Sequence, residues 1–75
     1  MDYQPISCDQ HEQLELAVLR RTRLILHLKD GRMLSGHALD VYTHAGAEWL
    51  KFKLAGIDEV LRLDQIRLIE TLNHA

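Results

Sequence analysis

The spacing of hydrophobic and polar positions changes near residue 23 and divides the chain into two kinds of structure. Before this point, Leu14, Ala17 and Val18 recur at helical spacing and form one apolar stripe. After it, apolar residues occupy every second position in several short runs, which is the period of β-strands. Because a short helix is not stable alone in water, we expect its stripe to pack against the strands.

The residues around the stripe predict where the helix begins and ends. Residues 1–8 are expected to form an extended arm and residues 9–20 a helix. Asp9 and Glu12 have the spacing of a capping box, in which the first side chain accepts a free backbone N–H of the first helical turn. The cations of residues 20–23 suit the negative end of the helix dipole.

Residues 23–71 predict a small barrel built from short antiparallel strands. Leu24, Leu26 and Leu28 give the first strand one firmly apolar face, and the Asp-Gly pair at 30–31 favours a hairpin turn. The alternation slips around Gly36, which predicts a bulge or a sharp bend. One helix followed by five predicted strands indicates a mostly β fold and a single domain over residues 1–75. The predicted strands cover residues 24–28, 33–42, 48–54, 59–63 and 66–71.

Composition and charge limit the classes of function. The formal net charge is −2, whereas small nucleic-acid-binding domains are more often basic, so the balance favours a protein partner. No apolar run is long enough for a membrane span, and no secretory signal is visible. Cys8 is the single cysteine, which excludes an internal disulfide and fits the cytoplasm.

Candidate chemistry in the sequence is sparse. The five histidines show no ligand-type spacing with Cys8, so neither a metal site nor a cofactor is predicted. Cys8 itself is expected to be a small buried filler and not a nucleophile. No catalytic triad order or phosphate-binding glycine loop is present, so we do not expect an enzyme. The histidines are His11, His27, His37, His44 and His74.

Two charged surfaces each allow two interpretations. Glu12 and Glu15 lie on one side of the predicted helix, either as solvated carboxylates near its N-terminus or as contacts for a basic partner. Trp49, Lys51 and Lys53 share one strand face, either as an RNA platform or as a half-buried indole with solvated lysines. The pattern alone leaves both pairs of alternatives open.

Residues 28–42, LKDGRMLSGHALDVY, resemble the first motif of Sm-like proteins. The matching positions are Gly31-Arg32, Gly36 and Asp40, and the resemblance implies an Sm-like barrel of five bent strands behind an N-terminal helix. Sm-like RNA binders carry an Asn after this motif and an Arg-Gly pair near the last turn. Residues 42–46 and 63–66 supply neither.

A second resemblance covers nearly the whole chain. Residues 3–6, 8–9, 14–17, 28–31 and 61–64 are similar to the Rho-binding antiterminator family (Rof). The resemblance implies an Sm-like protein that does not act on RNA itself. It would instead bind Rho, a hexameric RNA-dependent helicase, on its N-terminal RNA-binding domain and keep RNA off the primary site. Inhibition of Rho-dependent transcription termination would follow.

The family contacts to Rho lie largely on the N-terminal helix. Carried over by position, the implied partner-binding residues are Asp9, His11, Glu12, Gln13 and Glu15. Some relatives have an aromatic residue at the position of His11. In the loop after the second strand, relatives have a basic residue where this chain has Ala45. We therefore expect a monomer that binds Rho and no nucleic acid. The rival prediction is an RNA-binding Sm-like protein, possibly a ring, that uses Trp49, Lys51, Lys53 and residues 20–23.

Overall fold

This computed structural model describes residues 6–72 of the chain. These residues form one α-helix and five antiparallel strands, joined by turns. The predicted mostly β class with a single N-terminal helix is confirmed. The prediction of an extended arm lies outside the described residues for positions 1–5. The elements are α1 Cys8–Arg20, β1 Arg23–Leu28, β2 Met33–His44, β3 Ala47–Lys53, β4 Asp58–Arg62 and β5 Ile66–Thr71.

The strands form one sheet in the order β4-β3-β2-β1-β5. The long strand β2 joins its two halves, since its first part pairs with β1 and its second part pairs with β3. A short 3₁₀ turn, Leu63–Gln65, connects β4 to β5 at the two edges. Among the described residues these edge strands form no ladder with each other, so the sheet is not closed and the predicted barrel describes it only loosely.

Strand β2 contains the predicted irregularity, but not where the sequence suggested it. The register with β3 shifts between Ala38 and Asp40, so the bulge lies at Leu39. Gly36 is required for another reason, because a Cβ at this position would lie 2.0 Å from the carbonyl oxygen of Lys53. The extra residue at the bulge leaves both Leu39 and Asp40 exposed on the surface of the sheet.

Alternating leucines and one phenylalanine build the core, as predicted for the strands. Leu24, Leu26 and Leu28 of β1 are buried, as are Leu50 and Phe52 of β3. Burying one such side chain contributes about 1.5–3 kcal/mol, so this layer is a substantial part of the driving force for folding. The same cluster also contains residues from the helix, from β4 and from the chain beyond it, namely Leu14, Ala17, Leu61, Leu63, Ile66 and Ile69.

The helix docks on this core through the predicted apolar stripe. Leu14 is completely buried and Ala17 nearly so, while Val18 is half-buried against the same cluster. The left-handed backbone of Arg21, with φ of 54°, ends the helix and turns the chain into β1. Docking through one stripe leaves the opposite side of α1 exposed to solvent.

The N-terminal cap of α1 differs from the prediction. Ser7 is the cap residue, and its Oγ accepts the backbone N–H of Gln10 at 3.2 Å. Asp9 lies inside the first turn, where its charge favours the helix dipole without capping the helix. The proposed Asp9–Glu12 capping box is therefore wrong, and the helix begins at Cys8, one residue earlier than expected.

Candidate functional site

Carboxylates occupy the solvent side of α1. Asp9, Glu12 and Glu15 are all exposed, whereas Leu14 and Ala17 on the other side are buried. Helical geometry explains this division, since residues three and four apart share a face and those between them point elsewhere. The helix therefore displays a negative surface in a fixed orientation, because its opposite side is anchored in the core.

His11 lies between two carboxylates that come from different elements. Its Nδ1 is 2.5 Å from Oε1 of Glu15, one turn further along the helix. Its Nε2 is 3.4 Å from Oε2 of Glu48, which belongs to β3. A neutral imidazole carries one N–H and can donate to only one of these groups, whereas the protonated ring can donate to both. His11 thus connects the exposed side of the helix to the sheet.

The same side chains line an open recess beside the N-terminal half of α1. Its lining residues are Ile6, Cys8, His11, Glu12, Glu15 and Glu48. Three carboxylates facing one depression can accept hydrogen bonds from the ammonium or guanidinium group of a partner. Cys8 is exposed, so its predicted role as a buried filler is wrong.

Gln13 lies on the other flank of the helix. Its Nε2 donates to Oγ1 of Thr71 at 2.9 Å, and Thr71 belongs to β5. Since β5 and β3 lie on opposite sides of β2 in the sheet, Gln13 and His11 face different directions. Of the five predicted contact residues, the structure brings together His11, Glu12 and Glu15, while Asp9 and Gln13 lie outside the recess.

The lysines of the alternative RNA-binding surface lie opposite acidic residues of the neighbouring strands. Trp49 is half-buried, while Lys51 and Lys53 are exposed on the same strand. In the sheet register, Lys51 lies opposite Asp40 and Lys53 lies opposite Asp58. Opposite charges across a strand pair attract each other and reduce the positive potential that RNA would meet.

A second recess lies towards the C-terminal end of the helix and contains the basic side chains Arg21 and Lys53. Its lining also includes Leu39, which the bulge of β2 exposes. One residue of the 20–23 run, Arg21, therefore lies close to a strand lysine. Trp49 is not among the residues that line this recess.

The turn between β1 and β2 carries a further ion pair. Oδ1 of Asp30 accepts the backbone N–H of Arg32 at 3.0 Å, and Oδ2 accepts its guanidinium Nε–H at 2.9 Å. The backbone hydrogen bond, followed by the guanidinium, holds the pKa of Asp30 below its ordinary value. Arg32 also reaches Glu59 of β4 at 3.4 Å.

Residues 6–72 contain no group of three or more His, Cys, Asp or Glu side chains that could hold a metal ion. In the same part of the chain, no helix is long and apolar enough to cross a membrane.

Sequence reasoning missed Glu48. This residue was assigned only to the start of a strand, and nothing in its neighbourhood along the chain connects it to the helix. It joins the site because β3 begins beside the first turns of α1, where its carboxylate reaches His11. Only the tertiary arrangement gives that proximity.

The fold and this surface define a class of protein, a small antiparallel β domain that carries an exposed acidic helix. Residues 5–75 match the family described as modulator of Rho-dependent transcription termination (ROF), and the chain belongs to that family. It is 44% identical over 64 residues to "Protein rof" of Escherichia coli (strain K12), a match covering 85% of this chain and 76% of the relative. "Protein rof" of Shigella flexneri matches to the same extent. The expected family is confirmed.

Proposed function

We propose that this protein inhibits Rho-dependent transcription termination by binding the N-terminal RNA-binding domain of Rho. The observation that carries the proposal is the exposed pair Glu12 and Glu15 on a helix fixed to the core by Leu14 and Ala17. A surface that binds RNA must be basic, so an acidic helix complements it in charge. By occupying that surface, the helix would exclude RNA from the primary site of Rho.

The predicted contact residues take different roles in this proposal. Glu12 and Glu15 pair with basic groups of Rho, and Asp9 extends the negative surface at the N-terminal end of the helix. Gln13 offers its amide oxygen, because its Nε2 already donates to Thr71. His11 adds a hydrogen bond to Rho when it gives up its contact with one of the two carboxylates that it faces and contacts a group of Rho instead.

This mechanism requires no chemistry and no cofactor. The inhibitor and the transcript compete for one surface, so the fraction of Rho that is free to load RNA falls by mass action as the inhibitor accumulates. We propose that the protein acts as a monomer in the cytoplasm and does not itself bind nucleic acid. Its orientation on Rho follows from the rigid attachment of α1 to the sheet.

Charge reversal on the helix tests the proposal. The double substitution Glu12→Lys and Glu15→Lys should weaken Rho binding by about 100-fold or more, because both pairs become repulsive. The matched control is Asp58→Lys with Glu70→Lys, which changes the net charge equally on β4 and β5, away from the helix surface. Circular dichroism should show both variants folded. Equal loss of binding in both would place the contact elsewhere.

Competition with RNA tests the proposed mode of inhibition. In a pull-down with Rho, cytidine-rich RNA should displace the protein if both occupy the primary site. Alone, the protein should not shift single-stranded RNA in a gel and should scatter light as a monomer. A salt-sensitive shift together with a ring-sized particle would instead support the RNA-binding Sm-like protein.

A further inference from the structure

We propose that Thr71 is a positioning residue for the acidic helix and acts without touching Rho. By holding the side chain of Gln13, it fixes the rotation of α1 about its own axis and hence the direction in which Glu12 and Glu15 point. The inference rests on the proposed function and adds the part of the sheet that orients the binding surface. It follows from one hydrogen bond between the helix and β5, from Nε2 of Gln13 to Oγ1 of Thr71 at 2.9 Å.

The apolar stripe determines the place of the helix more strictly than its rotation. Leu14 and Ala17 are buried, but the burial of apolar surface is non-directional and tolerates small rotations. Side-chain atoms on the outside of a helix lie about 5–6 Å from its axis, so a rotation of about 20° displaces them by about 2 Å. Such a displacement separates a carboxylate from the basic group that it should meet, because a hydrogen bond requires a narrow range of distances.

Two side-chain hydrogen bonds join α1 to β5 in the part of the chain that the structure describes. Nε2 of Gln10 lies 3.5 Å from the backbone oxygen of Arg67, which is long for a hydrogen bond. The bond from Gln13 to Thr71 has an ordinary length. A directional contact of this kind resists rotation in a way that the apolar stripe does not, so Thr71 provides the firmer of the two restraints.

The sheet holds Thr71 in place. Its backbone lies opposite Leu24 of β1, which is completely buried. The backbone N–H of Leu72 donates to the carbonyl oxygen of Arg23 at 2.9 Å and continues the contact with β1 beyond Thr71. The side chain of threonine is short and branched at Cβ, so it has few rotamers. Its hydroxyl is therefore a fixed point to which a helix side chain can be tied.

Three substitutions on the β5 side of the helix test the role of this hydroxyl. Thr71→Val keeps the shape and removes the acceptor, so Rho binding should weaken by about three- to tenfold, the size expected for one neutral hydrogen bond. Thr71→Ser keeps the hydroxyl and should bind like wild type. The matched control is Thr22→Val, since Thr22 lines the same recess as Gln13 and Thr71. It should also bind like wild type. Circular dichroism verifies that each variant is folded.

Double-mutant cycles identify the route by which Thr71 acts. When Gln13→Ala is already present, Thr71→Val should have no further effect, because the side chain that it holds is gone. When Glu12→Gln and Glu15→Gln are present, Thr71→Val should again lose most of its effect, because no carboxylate remains to be oriented. Equal losses of affinity in all these backgrounds would mean that Thr71 contacts Rho directly or only stabilises the fold, and would overturn the inference.

The dependence of binding on salt gives a second readout that a purely structural role would not change. Carboxylates that no longer face their partners contribute less electrostatic attraction, so the affinity of Thr71→Val should fall less steeply with salt than that of wild type. Wild-type affinity and salt dependence in Thr71→Val would overturn the inference, whereas weak binding by Glu12→Gln with Glu15→Gln would leave the proposed function standing. Failure of the wild type to bind Rho would overturn both.

Discussion

The two sides of α1 are made from neighbouring residues and serve different purposes. Leu14 and Ala17 face the sheet and are buried, while Glu12 and Glu15 face solvent. The inner side stabilises the fold by removing apolar surface from water. The outer side contributes little to stability, since exposed carboxylates near a helix N-terminus contribute only about 0.3–1 kcal/mol each. Position around the helix axis therefore decides whether a residue supports the fold or is available to a partner.

The largest effect that tests this comparison is expected at Leu14. Truncation by Leu14→Ala should lower the free energy of unfolding by about 2–5 kcal/mol, because it removes apolar contacts and leaves a cavity in the core. Denaturation with urea, followed by circular dichroism, measures the change. The more drastic Leu14→Asp should detach the helix and thereby weaken Rho binding indirectly.

Leu19 provides the matched control on the same helix. Its side chain is 79% exposed, so Leu19→Ala should change the free energy of unfolding by less than about 0.5 kcal/mol. Similar losses for the two leucines would contradict the division into an inner and an outer side. Normal stability of Leu14→Asp would show that Leu14 is not buried.

A smaller effect is expected at the start of the helix. Ser7→Ala should cost about 1 kcal/mol, since the backbone N–H of Gln10 loses its side-chain acceptor. Asp9→Ala removes only a favourable charge near the dipole and should cost about 0.5 kcal/mol. Thermal unfolding measures the loss of stability in each variant. A larger loss for Asp9→Ala than for Ser7→Ala would mean that Asp9 is the cap residue. Asp9→Ala should also weaken Rho binding, whereas Ser7→Ala should not.

Much of the fold was predictable because it depends on local patterns. The alternation of Leu24, Leu26 and Leu28 identified the buried side of β1, and helical spacing identified Leu14 and Ala17 as the docking stripe. These signals are reliable because burial imposes the period of each element directly on the sequence. The left-handed Gly31 of the β1–β2 turn, with φ of 95°, follows from the Asp-Gly pair in the same way.

Two of the errors lie where local spacing does not identify a single solution. Ser7 with Gln10 and Asp9 with Glu12 have the same capping spacing, and the structure uses the first as its cap. The alternation of β2 slips over several residues, and only the register with β3 places the bulge at Leu39. Local propensity does not distinguish these alternatives, whereas tertiary contacts do.

The acidic face was predictable, but its connection to the sheet was not. Glu12 and Glu15 share one side of a helix, which spacing alone indicates. The contact between His11 and Glu48 joins residues that are distant along the chain, so it depends on how α1 lies over the sheet. A single sequence contains no signal for such a pair, because exposed polar contacts impose no periodic pattern.

The smallest effect on Rho binding is expected from a substitution at Asp30. This substitution tests whether the position of a negative charge matters for binding. Asp30→Asn removes one negative charge from the β1–β2 turn, as Glu15→Gln does from the helix. We expect Rho binding to be unchanged by Asp30→Asn and weakened by Glu15→Gln, because only Glu15 lines the acidic recess. Equal weakening would mean that the total charge, and not the helix surface, drives association.

Stability should respond to Asp30→Asn in a pH-dependent manner. In the folded protein the pKa of Asp30 is held below its ordinary value of 3.8, mainly by the backbone N–H of Arg32 and then by its guanidinium. When a carboxyl group has a lower pKa in the folded state, its charged form stabilises the protein at pH values above the ordinary pKa. This contribution is lost as the pH falls through the lowered pKa of the folded state. The wild type should therefore melt at a slightly higher temperature than Asp30→Asn near neutral pH, and the difference should disappear in strong acid. A difference that persisted there would have to come from the shape of the turn, because the carboxylate would then be protonated.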